Sequence, residues 1–442
     1  MQQWELRAAF AARMADVYGR EVPAYTALVD VCEEVNRDVL ARDGAAAQRH
    51  GSIRRVTAER HGAIRVGTPG ELHDVAQIFG ALGMHPVGYY DLRDASRSAV
   101  PVVSTAFRPV DGEELARNPF RMFTSMLVTD DRRFFSADLQ LRLDAFLARR
   151  TLFPPDLLQL AARSIGAGGL DGDDAERFLK LAVESFTLSS EPVDAAWYAE
   201  LERISAVAAD IGGVGSTHIN HLTPRVLDID ELYARMSARG ITMIDTIQGP
   251  PRWDGPDVLL RQTSFRALAE PRRMRVASGD VVDGELRVRF GEVEARGIAL
   301  TALGRDRYDA LIGQGPATWN AALPADELGL LAEDLAYFTI SSGRGELRRR
   351  GTVADLVADG ALTASPIVYE DFLPRSAAGI FQSNLTDEGT RDDAVAGTRR
   401  DVGWLSDVIG KHVADPYVLY AAQRDASVAA LPARVGAALL RR

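Results

Sequence analysis

Two histidines stand at equivalent positions in an internal repeat of the sequence. His61-Gly-Ala-Ile-Arg65-Val66 matches His221-Leu-Thr-Pro-Arg225-Val226, and the two histidines are 160 residues apart. A second match, Thr105-Ala-Phe107-Arg108 against Thr263-Ser-Phe265-Arg266, follows the two copies. Because neutral imidazole is the commonest metal ligand in proteins, two copies of one unit that each supply a histidine can hold one ion between them.

A carboxylate in the second copy completes a candidate metal site. Alignment of the last strand of each copy sets Phe123-Thr-Ser125 against Phe290-Gly-Glu292, so that an acid is present in the second copy only. Two imidazoles and one carboxylate on one side of an ion leave the opposite positions open, which is typical of non-haem Fe(II) sites that activate oxygen. Glu294 shares the strand face of Glu292, and both carboxylates are candidates for the third ligand.

Each of the two histidines shares its strand face with an arginine. Side chains alternate between the faces of a strand, so Arg65 points with His61 and Arg225 with His221. A planar guanidinium binds a carboxylate through two parallel hydrogen bonds. We therefore expect Arg65 to contact an anionic substrate, whereas Arg225 is more readily explained as a salt-bridged residue of the fold. His218 lies on the opposite face from His221 and is expected to be structural.

Composition narrows the class of protein. The chain has 442 residues, of which 46% are hydrophobic and 26% charged, as in ordinary globular proteins of one large or two moderate domains. The net charge of −11 is spread along the chain without a cluster of basic residues, which argues against nucleic-acid and membrane partners and favours small molecules. Cys32 is the only cysteine, which excludes an internal disulfide. Without a secretory signal pattern or a long apolar run, we expect a soluble, cytoplasmic protein.

Periodicity predicts an α+β fold built from two βαβββ units. Unit one covers about 50–130 and unit two about 213–310, with a helical insertion at about 131–212 between them. The second unit is expected to have strands at 242–247, 258–268 and 286–300 after its helix. Residues 1–320 are thus predicted to form a duplicated core that begins with helices. A mostly helical region is expected at 321–442, with a loop near 369–385.

These features resemble the vicinal-oxygen-chelate superfold of glyoxalases and extradiol dioxygenases, which implies that the two units form a half-open β-barrel. From about residue 22 to 420 the sequence is more closely similar to the 2-oxoadipate dioxygenase/decarboxylase family. Four motifs carry this resemblance: His61-Gly-Ala-Ile-Arg65, His218-Ile-Asn-His221-Leu-Thr-Pro-Arg225, Phe290-Gly-Glu292-Val-Glu294-Ala-Arg296-Gly297 and Tyr369-Glu-Asp371-Phe-Leu-Pro374-Arg-Ser376-Ala-Ala-Gly379-Ile-Phe381-Gln-Ser383-Asn384-Leu385.

The resemblance implies an Fe(II) dioxygenase that converts 2-oxoadipate and O₂ to 2-hydroxyglutarate and CO₂ in lysine degradation. The family's iron ligands correspond to His61, His221 and one glutamate of the third motif. The motif alone does not choose between the two glutamates, but the internal repeat favours Glu292. The family's substrate-binding and catalytic arginine corresponds to Arg65, and its substrate loop to the segment around Gln382 and Ser383.

Two other functional classes are compatible with the same residues. One is a glyoxalase-type isomerase or lyase that uses Zn²⁺ or Ni²⁺, since these ligand types accept several ions. Sites of that kind more often have four protein ligands, and Ser125 in place of a second acid counts against it. The other is a metal-free binding protein of the same superfold, which predicts that the two histidines share no common centre.

Overall fold

The computed structural model describes residues 1–94, 99–267, 269–287, 289–346, 350–373, 391–392 and 394–436. Within these ranges the protein has a mixed α+β fold with several sheets, none of them closed, which confirms the predicted class. None of the helices in these ranges has the length and apolar character needed to cross a bilayer.

The first unit supplies four strands of a five-stranded sheet. They are β1 Arg60–Val66, β2 His85–Asp91, β3 Val102–Arg108 and β4 Arg121–Leu127, in the order β2-β3-β4-β1. β1 runs parallel to β4, and the other neighbours are antiparallel. The helix Pro69–Ala81 joins β1 to β2 and begins at a capping box made by Thr68 and Glu71. The predicted order of strand, helix and three strands is confirmed in this unit.

The second unit repeats this order in a less regular form. It consists of β6 His221–Pro224, the helix Ile229–Ala238, β7 Leu260–Ser264 and β10 Glu292–Arg296. β7 and β10 pair in antiparallel fashion, and a single parallel bridge joins Arg225 to Glu294. β6 is thus next to β10 as β1 is next to β4.

Two strand predictions for the second unit were wrong in extent. The segment 242–247 forms only isolated bridges, from Met243 to Phe265 and, just beyond it, from Gln248 to Gln262, because the pairing register shifts between them. The predicted strand 286–300 is two separate strands. Its beginning belongs to a hairpin of β8 Glu270–Arg275 and β9 Val281–Leu286, which forms a different sheet with β5 Val193–Asp194. The chain must leave that sheet before β10 can begin.

The two units meet along β1 and β6, which are antiparallel neighbours. Ala63 pairs with His221, and His61 pairs with Thr223. The two histidines are therefore diagonal neighbours on one face of the paired strands β1 and β6, where long side chains reach each other.

The register of the strands also relates the last strands of the two units. Arg65 pairs with Ser125 in the first unit, and Arg225, its counterpart in the repeat, pairs with Glu294 in the second. The structural counterpart of Glu292 is therefore Phe123. The sequence alignment that matched Glu292 with Ser125 was shifted by two residues, because the hairpin inserted between β7 and β10 removes the constant spacing on which it relied.

Helices cover the outside of the sheets. Tyr18, on the N-terminal helix Gln3–Glu21, donates its hydroxyl to the carbonyl oxygens of Asn220 and Phe290, at 3.0 and 2.8 Å. The first helix thus fixes the backbone beside β6 and β10. Besides this helix and the two helices named above, the helices of the described residues are Pro23–Asp43, Ala46–Gln48 (3₁₀), Ile53–Ala58, Gly112–Arg117, Ala137–Leu147, Pro155–Ala167, Gly172–Ser185, Ala195–Glu202, Ala206–Gly212, Ala302–Leu311, Pro316–Ala322, Glu327–Ala332, Val353–Ala358, Val402–Ile409, Pro416–Ala429 and Ala433–Gly436.

The region after residue 320 contains an antiparallel pair that the sequence analysis did not predict. β11 Phe338–Ser342 pairs with β12 Leu362–Pro366. Phe338 and Ile340 are buried and alternate with more exposed neighbours. Five residues are too few for an alternating pattern to be distinguished from a helical one, so the helical interpretation was incomplete here.

Candidate metal centre

His61, His221 and Glu292 come together from three strands at the junction of the two units. Each offers a ligand atom, and these atoms all lie within 4.8 Å of one another. His61 Nε2 is 3.4 Å from Glu292 Oε1, and His221 Nδ1 is 3.8 Å from Glu292 Oε2. All three side chains are buried. If the chain were a metal-free binding protein, the two histidines would share no common centre. The observed geometry does not agree with that alternative.

Aromatic rings enclose the two imidazoles. The rings of His61 and His221 are perpendicular, with centroids 5.4 Å apart. Phe290 stacks on His221 at 5.4 Å, and the edge of Phe372 meets His61 at 4.9 Å. These contacts restrict the rotation of both imidazoles and keep water from their outer faces.

The two candidate carboxylates of β10 have different surroundings. Glu294 Oε2 is 3.2 Å from His61 Nδ1, on the opposite side of the ring from Glu292. Glu294 also binds the guanidinium of Arg296 at 2.5 and 3.0 Å and lies 3.5 Å from Arg121. Within the described part of the chain, the side chains in polar contact with Glu292 are the two histidines. The geometry therefore favours Glu292 as the ligand and places Glu294 behind His61.

Burial and neighbouring charges set the protonation of this cluster. Burial alone would lower the pKa of His61, but the carboxylates of Glu294 and Glu292 outweigh it and raise that pKa. Burial and the positive charges of His61 and Arg65 hold the pKa of His221 well below its ordinary value. Burial raises the pKa of Glu292, whereas nearby guanidinium and imidazole groups lower that of Glu294 in spite of burial. His221 is thus kept as the neutral imidazole that a metal ion requires.

This donor set fits a divalent transition-metal ion. Nitrogen ligands from two imidazoles and oxygen from one carboxylate are the types that iron, manganese, nickel and zinc accept, and their facial arrangement is that of non-haem iron oxygenases. Among the described residues, no guanidinium or ammonium group lies against the carboxylate of Glu292. Three buried, ionisable groups that face each other in this way are costly to leave without a cation. The cluster is explained more simply as a metal site than as a structural ion pair.

Arg65 projects from β1 beside the group of candidate metal ligands and is ion-paired with Asp210. Asp210 also accepts a hydrogen bond from Asn220 Nδ2 at 2.9 Å and lies 3.4 Å from His218 Nε2. His218 thus belongs to this acidic cluster and not to the metal-ligand group. Asp210 was not identified from the sequence, because it lies on the helical insertion, 145 residues from Arg65.

Arg225 lies in a separate buried network. It donates to Glu59 Oε2 at 2.9 Å, and Glu59 Oε1 accepts from Arg121 at 2.8 Å. Arg296 is 3.5 Å from the same carboxylate. The salt-bridged interpretation of Arg225 therefore agrees with the structure. Sequence analysis gave no signal for Glu59, which precedes the first motif by two residues.

The segment before the predicted substrate loop is fixed against the core. Asp371 binds Arg108 through two hydrogen bonds of 2.7 and 3.0 Å, and Glu370 is ion-paired with Arg121. Phe372 follows directly and contacts His61. The acidic and aromatic residues of the fourth motif thus hold this segment of the chain beside the candidate metal ligands. Gln382 and Ser383, the predicted loop contacts, lie outside the described residues.

Sequence comparison relates nearly the whole chain to one family. A model of the family described as 2-oxoadipate dioxygenase/decarboxylase matches residues 10–384. A Mycobacterium bovis protein named 2-oxoadipate dioxygenase/decarboxylase is 58% identical over 422 residues, which cover 95% of this chain and 96% of that protein.

Structural comparison agrees. The crystal structure of the hydroxyglutarate synthase from Pseudomonas putida in complex with 2-oxoadipate is similar with a TM-score of 0.83 and 37% identity, over 97% of this chain and 98% of that one. A Ralstonia eutropha protein ascribed to the glyoxalase superfamily is similar in fold alone, with a TM-score of 0.51 and 22% identity over 67% of this chain and 84% of that one.

Proposed function

The chain belongs to the 2-oxoadipate dioxygenase/decarboxylase family, and from this premise we propose that it converts 2-oxoadipate and O₂ to 2-hydroxyglutarate and CO₂ with Fe(II) as its metal. The observation that carries the proposal is the buried cluster of His61, His221 and Glu292, whose ligand atoms lie within 4.8 Å of one another. These three side chains would hold the ion. When bound, it supplies adjacent open positions for the carboxylate and keto oxygens of a 2-oxo acid and for O₂.

In this proposal, the residues around the three ligands exclude water or bind the substrate. Phe290 and Phe372 line the imidazoles with apolar surface and exclude water from the reacting groups. Arg65 binds the distal carboxylate of the diacid and so determines which carbon of the substrate is nearest the reaction centre. Asp210 orients the guanidinium of Arg65 from the side of the helical insertion.

We also propose that the two βαβββ units form a half-open barrel within a duplicated core at 1–320. The matching strand neighbours in the two units and the glyoxalase-type fold support this. The region at 321–442 would then contribute the substrate loop near 369–385, with Gln382 and Ser383 in contact with substrate. The fixed position of Glu370 and Asp371 supports it, because these residues hold the beginning of that segment beside His61. A cytoplasmic location belongs to the same proposal.

Oxygen uptake by protein that has been loaded anaerobically with Fe(II) tests the reaction. We expect 2-oxoadipate to give one CO₂ and one 2-hydroxyglutarate for each O₂ consumed, without added 2-oxoglutarate. A monoacid of the same chain length, 2-oxohexanoate, is the matched control and should react poorly, since it offers no distal carboxylate to Arg65. Metal binding without oxygen uptake would reject the oxygenase in favour of an isomerase or lyase, and failure to bind metal would leave only a binding protein.

A further inference from the structure

We propose that Glu294 is a positioning residue for the metal centre, which accepts the Nδ1 proton of His61 and so directs Nε2 of that ring to the ion. This inference rests on the metal site proposed above. It assigns a role to the carboxylate of β10 that is not itself a ligand.

The contacts on the two sides of the His61 ring support this role. Glu294 Oε2 is 3.2 Å from Nδ1, and Glu292 Oε1 is 3.4 Å from Nε2. A neutral imidazole carries its proton on one nitrogen only, so a proton held on Nδ1 leaves the lone pair of Nε2 for a metal. Histidine ligands commonly donate their other ring proton to a carboxylate in this way, which fixes the tautomer and the orientation of the ring.

Glu294 is itself held in place by two buried guanidinium groups. Arg296 binds both of its oxygens, at 2.5 and 3.0 Å, and Arg121 lies 3.5 Å away. Arg296 also donates to the carbonyl oxygens of Tyr369 and Asp371, at 2.7 and 3.0 Å. These contacts hold the carboxylate of Glu294 on the Nδ1 side of the His61 ring, away from Glu292.

The second histidine has a neutral neighbour instead of a second carboxylate. Nδ1 of His221, the nitrogen that lies 3.8 Å from Glu292 Oε2, is also 3.0 Å from the hydroxyl oxygen of Thr223. The repeat thus supplies one imidazole with a charged partner and the other with an uncharged one. Since a carboxylate partner makes an imidazole a stronger donor to a metal, we expect metal binding to be more sensitive to the loss of Glu294 beside His61 than to the loss of the Thr223 hydroxyl beside His221.

Nuclear magnetic resonance of the zinc-loaded protein tests the inference without relying on turnover. Zn²⁺ is diamagnetic and accepts the same ligand types. With ¹⁵N-labelled histidine, the wild-type protein should show a slowly exchanging ring proton on Nδ1 of His61, assigned by its absence from His61→Gln. In Glu294→Ala this resonance should disappear, and the affinity for Zn²⁺ should fall roughly 10- to 100-fold. Glu294→Gln keeps an acceptor oxygen and should retain the resonance with an intermediate affinity.

Glu59→Gln is the matched control. Glu59 is buried, and its carboxylate also contacts Arg121 and Arg296, so its removal disturbs the same guanidinium groups without touching His61 Nδ1. This variant should keep both the resonance and the affinity. If Glu294→Ala does not fold, Glu294→Asp tests the inference instead. The shorter aspartate keeps a negative charge beside the arginines but moves the carboxylate oxygen away from Nδ1 of His61.

The possible failures can be distinguished. An unchanged Nδ1 resonance and Zn²⁺ affinity in Glu294→Ala or Glu294→Asp would overturn the positioning role. An unchanged Zn²⁺ affinity in His61→Gln would overturn the metal site as a whole. Equal losses in Glu59→Gln and Glu294→Ala would show that general disturbance of the ion network, and not the contact with His61, is responsible, which also rejects the inference.

Discussion

Glu292 of β10 holds the position in the second unit that Phe123 of β4 holds in the first. The pairing of Arg65 with Ser125 and of Arg225 with Glu294 fixes this correspondence. Phe123 packs against Phe372 with ring centroids 5.0 Å apart. At this position the repeat thus provides a candidate metal ligand in one unit and an apolar contact in the other, so only the second unit contributes a carboxylate here.

Removal of either histidine should abolish metal binding. His61→Ala and His221→Ala each delete one of three ligands, so we expect the affinity for Fe(II) or Zn²⁺ to fall at least 100-fold and turnover to be lost, while circular dichroism stays unchanged. Calorimetric titration of the metal measures the effect. His412→Ala removes an exposed histidine and should bind metal like the wild type. Wild-type affinity in either ligand variant would refute the site.

Replacement of Arg65 by lysine should weaken recognition of the diacid. An ammonium group keeps the charge but loses the bidentate geometry of the guanidinium, and a hydrogen bond to a charged group contributes about 1.5–3 kcal/mol. We expect the KM for 2-oxoadipate to rise roughly 10- to 100-fold with little change for 2-oxohexanoate. Steady-state kinetics with both substrates checks this. An unchanged ratio of their kcat/KM values would show that Arg65 does not bind the distal carboxylate.

Asp210→Asn should act on the same step through Arg65. The neutral amide holds the guanidinium less firmly than the carboxylate does, so the distal anion site becomes less ordered. We expect the KM for the diacid to rise about tenfold while kcat and metal affinity stay close to wild type. A lower KM would mean that Asp210 competes with the substrate for Arg65 and does not orient it.

The network around Glu59 should make stability depend on pH. Burial alone would raise the pKa of Glu59, but Arg225 and Arg121 outweigh it and hold the pKa well below its ordinary value of 4.5. A pKa that is lower in the folded than in the unfolded state adds stability that is fully present above the unfolded value and is lost as the pH falls below it.

Denaturant unfolding of the metal-free protein between pH 3 and pH 7 measures this dependence. We expect the free energy of unfolding of the wild type to decrease below about pH 4.5. Glu59→Gln should be less stable than the wild type at pH 7, because it leaves buried arginines without their partner, and its stability should fall less steeply in acid. Parallel curves for the two proteins would contradict the assignment.

Much of the site could be predicted from the sequence because it depends on local repetition. The match around His61 and His221 located two candidate ligands, and strand alternation placed Arg65 on their side. The choice of Glu292 agrees with the observed proximity, although the alignment behind it was shifted by two residues. Sequence spacing could not give the correct register of β10 relative to β4, because the hairpin of β8 and β9 lengthens the connection between β7 and β10.

By itself, the sequence determined which side chains have chemistry to offer and which faces of their strands they occupy, because alternation and repetition are properties of neighbouring residues. Only the tertiary structure decided how those side chains are paired. Glu292 and Glu294 are two residues apart on one face, yet Glu292 contacts two imidazoles, whereas Glu294 contacts the other side of His61 together with Arg296 and Arg121. Apart from Arg296, the partners that make this difference lie on strands distant in the sequence, and they meet only when the chain is folded.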